Sequence, residues 1–247
     1  MERNESFVSE SLNDIVVHMA WAQVEIFADE IERVQVLAAG DEGSVGDLRI
    51  ETENDTLLVE QPQYGLSLNI MESRWMQVCI RVPKSWTKKI HVFTIGGLLN
   101  ARGLNGSRIV LDTVSGDMRA MRMTAREISL KSISGDVRSD RLTAGSLTVR
   151  TVSGNITLDE AVSQTYKCTT VSGDVKLKLK ESFESMDVRS VSGDVTVLSP
   201  VSSMNVSMRS ISGRVATNGV TLAEAGDNPA VRMTGVSADL KLVCAKE

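Results

Sequence analysis

Apolar and polar residues alternate along this chain, and the alternation restarts at a fixed interval. One residue separates Ile109 from Leu111, Ile128 from Leu130, Leu147 from Val149, Tyr166 from Cys168, Met186 from Val188, Val206 from Met208 and Val231 from Met233. Period two marks a strand with one face turned inward. A further apolar position follows each pair: Val114, Ile133, Val152, Val171, Val191, Ile211 and Val236. After a turn the alternation resumes at Val137, Ile156 and Leu158, Val175 and Leu177, Val195 and Val197, and Leu240 and Leu242. The segments are short and rich in β-branched residues, which argues against helix.

The turn is a repeated phrase. It reads TVSGDM at 113–118, SISGDV at 132–137, TVSGNI at 151–156, TVSGDV at 170–175, SVSGDV at 190–195 and SISGRV at 210–215. The glycines Gly116, Gly135, Gly154, Gly173, Gly193 and Gly213 are spaced by 19, 19, 19, 20 and 20 residues. Degenerate copies stand at TIGGLL, 94–99, and at GVSADL, 235–240, which closes the series with Ala238 in the glycine column. A unit this short cannot bury its own apolar face. Units stacked at about 4.8 Å can, with one core running down the axis. The expected fold is all-β, a single-chain β-solenoid (β-helix) with 19–20-residue coils. We divide the chain into an acidic, strand-rich part, 1–89, that starts or caps the solenoid, and the repeat β-helix, 90–247, the two forming one continuous domain.

The repeated phrase reads as architecture. Glycine supplies a corner conformation with positive φ. A neighbouring Asp or Asn accepts backbone N–H bonds in a local Asx turn, and the preceding Ser bonds locally or to the Ser of the next coil. The expected turn ladder is Ser115, Gly116 and Asp117; Ser134, Gly135 and Asp136; Ser153, Gly154 and Asn155; Ser172, Gly173 and Asp174; Ser192, Gly193 and Asp194; Ser212 and Gly213. Stacked carboxylates about 4.8 Å apart in water repel by roughly 0.9 kcal/mol before screening. A calcium ladder is the rival reading. Asn155 interrupts it, and Arg214 ends the column next to Asp194, so no metal and no cofactor is expected.

With these columns in hand, the chain resembles the DUF4097 family of bacterial β-strand repeat proteins, whose members carry the label "putative adhesin". The resemblance rests on the six phrases and on CIRVPKSWTKKIHVFTIGG at 79–97, and it covers roughly residues 12–245. It implies a β-helix throughout and brings no catalytic residues. Earlier in the chain, strand candidates are Ile15/Val17, Val24/Ile26, Val34/Val36, Leu48/Ile50, Leu57/Val59, Leu68/Ile70 and Val78/Ile80/Val82. Turn signals fall at AGDEGS (39–44), END (53–55) and QPQYG (61–65). Residues 20–34 also fit helical spacing through Trp21, Val24, Ala28 and Ile31; the family pattern favours strands.

Charge adds a direction to the rod. The net charge is −5, which disfavours nucleic acid as a partner. Residues 1–60 hold 15 Asp and Glu against three Arg, leaving a net +7 for the rest. One outward column, Asp112, Lys131, Arg150, Thr169, Arg189, Arg209 and Thr234, carries four cations. Lys131, Arg150, Arg189 and Arg209 are therefore the expected docking stripe for an acidic protein partner or for the acidic region of a second copy. The beginning MERNESFVSE has no apolar stretch behind it, and no run spans a membrane. Cys79, Cys168 and Cys244 form neither a disulfide framework nor a zinc pattern. A cytoplasmic protein is expected, with any envelope association going through a partner. His18 and His91 lie far apart in sequence, and no nucleophile motif or phosphate loop is present. The expected function is non-catalytic binding or scaffolding with an unknown ligand. Three alternatives stand beside it: a self-assembling, bactofilin-like scaffold with bare ends, the C-terminal ADLKLVCAKE being the uncapped coil; an envelope-associated adhesin module, exported or tethered to a membrane partner; and a carbohydrate-active β-helix enzyme, which the scarcity of aromatics in the repeats disfavours.

Overall fold

The computed structural model describes residues 1–62, 75–223, 226 and 228–245. The strand candidate Leu68/Ile70 and the end of the QPQYG turn lie outside the described residues. The first elements are β1 (Glu2–Val8), β2 (Asp14–Met19), β3 (Gln23–Asp29), β4 (Arg33–Gly40), a short helix α1 (Glu42–Gly46), β5 (Arg49–Glu53), β6 (Thr56–Glu60) and β7 (Met76–Pro83). The repeats supply β8 (Lys89–Gly96), β9 (Leu99–Arg102), β10 (Asn105–Ser115), β11 (Met118–Ser134), β12 (Val137–Arg150), β13 (Ile156–Ser172), β14 (Val175–Leu179), β15 (Ser185–Ser192) and β16 (Val195–Ser199). Last come β17 (Ser203–Arg209), β18 (Val215–Asn218), β19 (Thr221–Leu222), β20 (Ala230–Ser237) and β21 (Leu240–Cys244).

The protein is an all-β solenoid. Residues 20–34 are strand, not helix, because their partners are strands on both sides: Val24 faces Val78 and Leu99, and Ile26 faces Ile80 and Ala101. Two walls enclose the core. The wall after the SGD turn runs β1, β4, β7, β3, β9, β11, β12, β13, β14, β16, β21, β18. The wall before the turn runs β5, β6, β2, β8, β10, β11, β12, β13, β15, β20, β17. Strands β11 to β13 bend round the corners and contribute to both walls. Pairing is parallel throughout the repeats and antiparallel only at the outer N-terminal strands.

Every coil gives its inward pairs to one core. Ile109, Leu111, Ile128, Leu130, Leu147, Val149, Val188 and Met233 are fully buried. Tyr166 is the one large aromatic among them. Its hydroxyl donates to the Ala161 carbonyl at 3.1 Å, which satisfies the buried polar tip, and its ring meets Phe183 edge-on.

The order of coils in space differs from the order in sequence, and this corrects the reading of the C-terminus. The coil β20–β21 does not end the series. It is inserted between β15–β16 and β17–β18, so GVSADL is the second-last rung and SISGRV the last. The uncapped coil is 203–218; β21, Leu240–Cys244, is sandwiched between β16 and β18. The other end repeats the manoeuvre: β2–β3 lie between β6–β7 and β8–β9. Adjacent repeat units carry nearly identical columns, so sequence alone offers no signal for which two will be neighbours.

A second corner also went unread in the sequence. Gly103, Arg122, Arg141, Glu160 and Gly219 turn with φ of 49–69°, the left-handed region. Arg and Glu there carry strain of order 1 kcal/mol each. Asn54 and Asp55, both at positive φ, make the tight β5–β6 hairpin that the END signal predicts.

Candidate binding face

The SGD turns stack into a hydrogen-bonded spine whose bonds run between coils. The Asp117 carboxylate accepts the Asp136 amide at 3.1 Å, Asp136 accepts the Asn155 amide at 2.9 Å, and the Asn155 side-chain oxygen accepts the Asp174 amide at 2.9 Å. Asp174 then accepts the Asp194 amide, Asp194 the Asp239 amide, and Asp239 the Arg214 amide. The local Asx turn expected from sequence is thus replaced by a bond to the neighbouring coil. This explains the two departures from the motif. Asn155 serves because its carbonyl oxygen accepts as a carboxylate does. Arg214, which lies beside Asp239 and not Asp194, occupies the last rung, where no further amide needs an acceptor. The serines stack beside the spine through Ser115, Ser134, Ser153, Ser172, Ser192 and Ser237, while Ser212 directs its amide to the Val236 carbonyl.

Glycine is required in the spine for contact as much as for φ. A Cβ on Gly154 would lie 2.3 Å from the Gly135 carbonyl oxygen, and φ there is +138°. Gly116 and Gly213 have no positive φ, yet a Cβ on either would come within 2.0 Å of a carbonyl of the adjacent coil.

Beside the spine runs a ladder of exposed aliphatic residues: Ile133, Val152, Val171, Val191, Val236 and Ile211, with Ile95 and Val114 half-buried at its start. Exposure is 43–51% along the ladder and 84% at the terminal Ile211. Stacking covers about half of each side chain, and the last one lacks a neighbour. The sequence held the signal: inward parity runs Ile128, Leu130, Ser132, so Ile133 points out. Contiguous exposed apolar surface of this kind marks interaction sites.

Two basic columns flank the ladder. On one side Asp112, Lys131, Arg150, Thr169, Arg189, Thr234 and Arg209 stand in register. Lys131 pairs with Asp112 at 3.4 Å and Arg189 with Asp187 at 3.2 Å. Arg150 and Arg209 are exposed and form no ion pair among the described residues. Beyond the spine a second column, not anticipated from sequence, aligns Arg119, Arg138, Thr157, Lys176, Thr196 and Lys241. Arg138 reaches back to Asp136 at 2.7 Å. The corner is therefore an apolar ridge with cations on both sides.

At the N-terminal end of the same face the fold brings His18 and His91 together, ring centroids 6.0 Å apart, although they lie far apart in sequence. His91 also lies 3.6 Å from Asp112. His91 and Asp112, together with Asp14, Lys89 and Arg108, line a shallow groove of about 320 Å³. Burial pushes the Asp14 carboxyl up, against the pull of Lys89. No group of three or more metal-ligating side chains converges among the described residues. Cys168 is buried in the core and its thiol is pushed up to about 12 by desolvation; half-buried Cys79 is also raised, again chiefly by burial. Such thiols are poor nucleophiles. No described helix is long and apolar enough to cross a membrane.

Known proteins share the fold at low sequence identity. A crystal structure of a "putative adhesin" from Bacteroides fragilis is 14% identical, covers 98% of this chain and 97% of its own, and superposes with a TM-score of 0.59. A "putative adhesin" from Parabacteroides distasonis is 12% identical over 98% and 97% of the two chains, with a TM-score of 0.62. A "putative lipid binding protein" from the same organism is 12% identical over 97% and 96%, with a TM-score of 0.64. No curated protein matches the chain. At such identity these likenesses speak for the solenoid alone. Residues 12–233 match the family model described as Toastrack DUF4097, and the chain belongs to that family.

Proposed function

We propose that this protein is a non-catalytic binding module that receives an acidic partner protein along the SGD ridge. The observation that carries this reading is the exposed aliphatic ladder between two basic columns, in which Arg150 and Arg209 have no ionic partner among the described residues. A partner segment with carboxylates spaced beside small apolar groups would neutralise those cations and cover the ladder. Charges of this kind steer encounter and fix register more than they add affinity. A protein segment fits better than an anionic bilayer. The ladder has short Val and Ile side chains, lacks the Trp, Phe and Leu that anchor interfacial elements, and belongs to a chain of net charge −5.

Titration with poly-L-glutamate tests the electrostatic half. Binding is expected at low salt and is expected to fall at least tenfold in the Arg150→Glu, Arg189→Glu double variant. Unchanged binding by that variant would sink the reading. Flotation with phosphatidylglycerol vesicles tests the rival occupant. Binding that is strong in the native chain and lost in Val152→Asp, Val171→Asp would move the ridge from a protein partner to a lipid surface.

A further inference from the structure

The two ends of the rod present unlike edges. At the C-terminal end β18 pairs only with β21, and its outer side is unpaired among the described residues. Strand β17 has an outer partner only at Ser203 and Met204, which meet β19. The inward columns run out here: Val206, Met208 and Val215 are half-buried, where Val188, Met233, Val195 and Leu240 in the same columns are closed off completely. Ile211 is the most exposed large apolar residue of the described chain. Residues 200–223 contain Arg209 and Arg214 and no carboxylate.

At the N-terminal end the outermost strands are β1 and β5; Arg3 pairs with Glu5 and Arg49 with Glu51, which leaves Glu2 and Glu53 as the carboxylates without an ion pair among the described residues. Met1 and Val8, at either end of β1, are also exposed. The direction of β1 matters. It is antiparallel to β4, which is antiparallel to β7, so β1 runs the same way as the parallel strands of its wall. A copy translated along the axis would set β1 against β18 of the copy before it as one more parallel pair.

We propose that the chain associates head to tail, the free β1 edge of one copy, which carries Glu2, completing the unpaired edge of β18, beside Arg214, on the next. This contact overlaps the binding ridge only at its terminal rung, which holds Ile211 and Arg209, and leaves the ladder from Ile133 to Val236 with Arg150 and Arg189 outside it. It satisfies the open backbone edge by strand addition, covers Ile211, Val206 and Val215, and sets a carboxylate against Arg214. The tail-to-tail alternative would bring arginine onto arginine. A heterologous contact of this type does not close on itself and yields open rows.

Light scattering on a sizing column decides it. The native chain, 26.8 kDa, is expected to exceed twice its monomer mass as concentration rises at low salt, and to shrink at high salt. A tail-blocked chain (Ile211→Glu, Arg214→Glu) and a head-blocked chain (Glu2→Lys, Asn4→Lys), each checked for native circular dichroism, should both be monomeric. An equimolar mixture should reach twofold mass and stop, because one free head meets one free tail. The proposal is overturned by a native chain that stays monomeric, by a head-blocked chain that dimerises alone, or by a mixture that remains monomeric. The Arg150→Glu, Arg189→Glu variant should assemble as the native chain does, so failure of the ridge reading and failure of this one are separable.

Discussion

At the N-terminal end, coil β2–β3 is held between β6–β7 and β8–β9; at the C-terminal end, coil β20–β21 is held between β15–β16 and β17–β18. In both places a segment near a chain terminus is an inner rung, flanked on its outer side by a coil drawn from further inside the chain. The two ends then part. The N-terminal end adds antiparallel β1, β4 and β5 and packs Val45 of α1 into the core. Among the described residues the C-terminal end adds only the two residues of β19. The difference teaches that interleaving secures the chain against fraying but does nothing for an exposed edge, which needs strands of its own.

The largest effect that would break this comparison is a truncation. A chain ending at Ala223 loses the inner rung β20–β21, the strands that join β17–β18 to the rest of the solenoid. A chain ending at Ser199 loses the whole interleaved end and keeps a clean edge at β15–β16. The shorter chain is therefore expected to be the better protected in amide exchange and limited proteolysis. Equal protection of 203–218 in the Ala223-terminated chain would refute the pairing order.

Glycines sharpen the contrast between spine and cap. Gly154→Val places a side chain against the Gly135 carbonyl at a φ that L residues rarely adopt, and is expected to cost about 3 kcal/mol or more in urea unfolding. Gly46→Ala, at an exposed position of α1 with open space around it, should stabilise by about 0.5–1 kcal/mol.

The cap itself depends on Asp41. Its carboxylate accepts the Ser44 amide at 2.9 Å and the Trp75 amide at 3.0 Å, and the first of these is the main reason its pKa lies below the usual carboxyl value of 3.8. Asp41→Ala should cost about 1 kcal/mol at neutral pH. The folded carboxyl titrates below the unfolded one, so this stabilisation is present above the unfolded value and lost as pH falls through the folded value. The gap between native and variant melting temperatures should therefore close in acid. A gap independent of pH would remove the carboxylate from the account.

The smallest effect separates the middle rungs from the last. Asn155→Asp keeps the acceptor for the Asp174 amide but puts a charge between Asp136 and Asp174. It should destabilise by up to about 1 kcal/mol at low salt and by less at high salt. Arg214→Asp gains one carboxylate neighbour, Asp239, and should lose less.

Much of this was legible in the residues. Period-two pairs such as Ile128 and Leu130 named the inward columns, and the phrase TVSGDV named the corner and its stacking. The exposure of Ile133 was legible too, by parity, but an aliphatic residue beside a core strand reads as core. The second basic column through Arg119 and Arg138 was missed because the chain offers no phrase to align it, only position after the turn.

The sequence by itself determined the repeat, the two-wall alternation and the need for glycine beside an amide acceptor, because these are properties of one coil and its identical neighbour. Only the tertiary structure decided which coils are neighbours. Nearly equivalent rungs pair with nearly equal energy, so the order is set by how the links between them can reach and by what the outermost edge has left to pair with. That is why Arg214 sits against Asp239, why His18 meets His91, and why one end of the rod remains open.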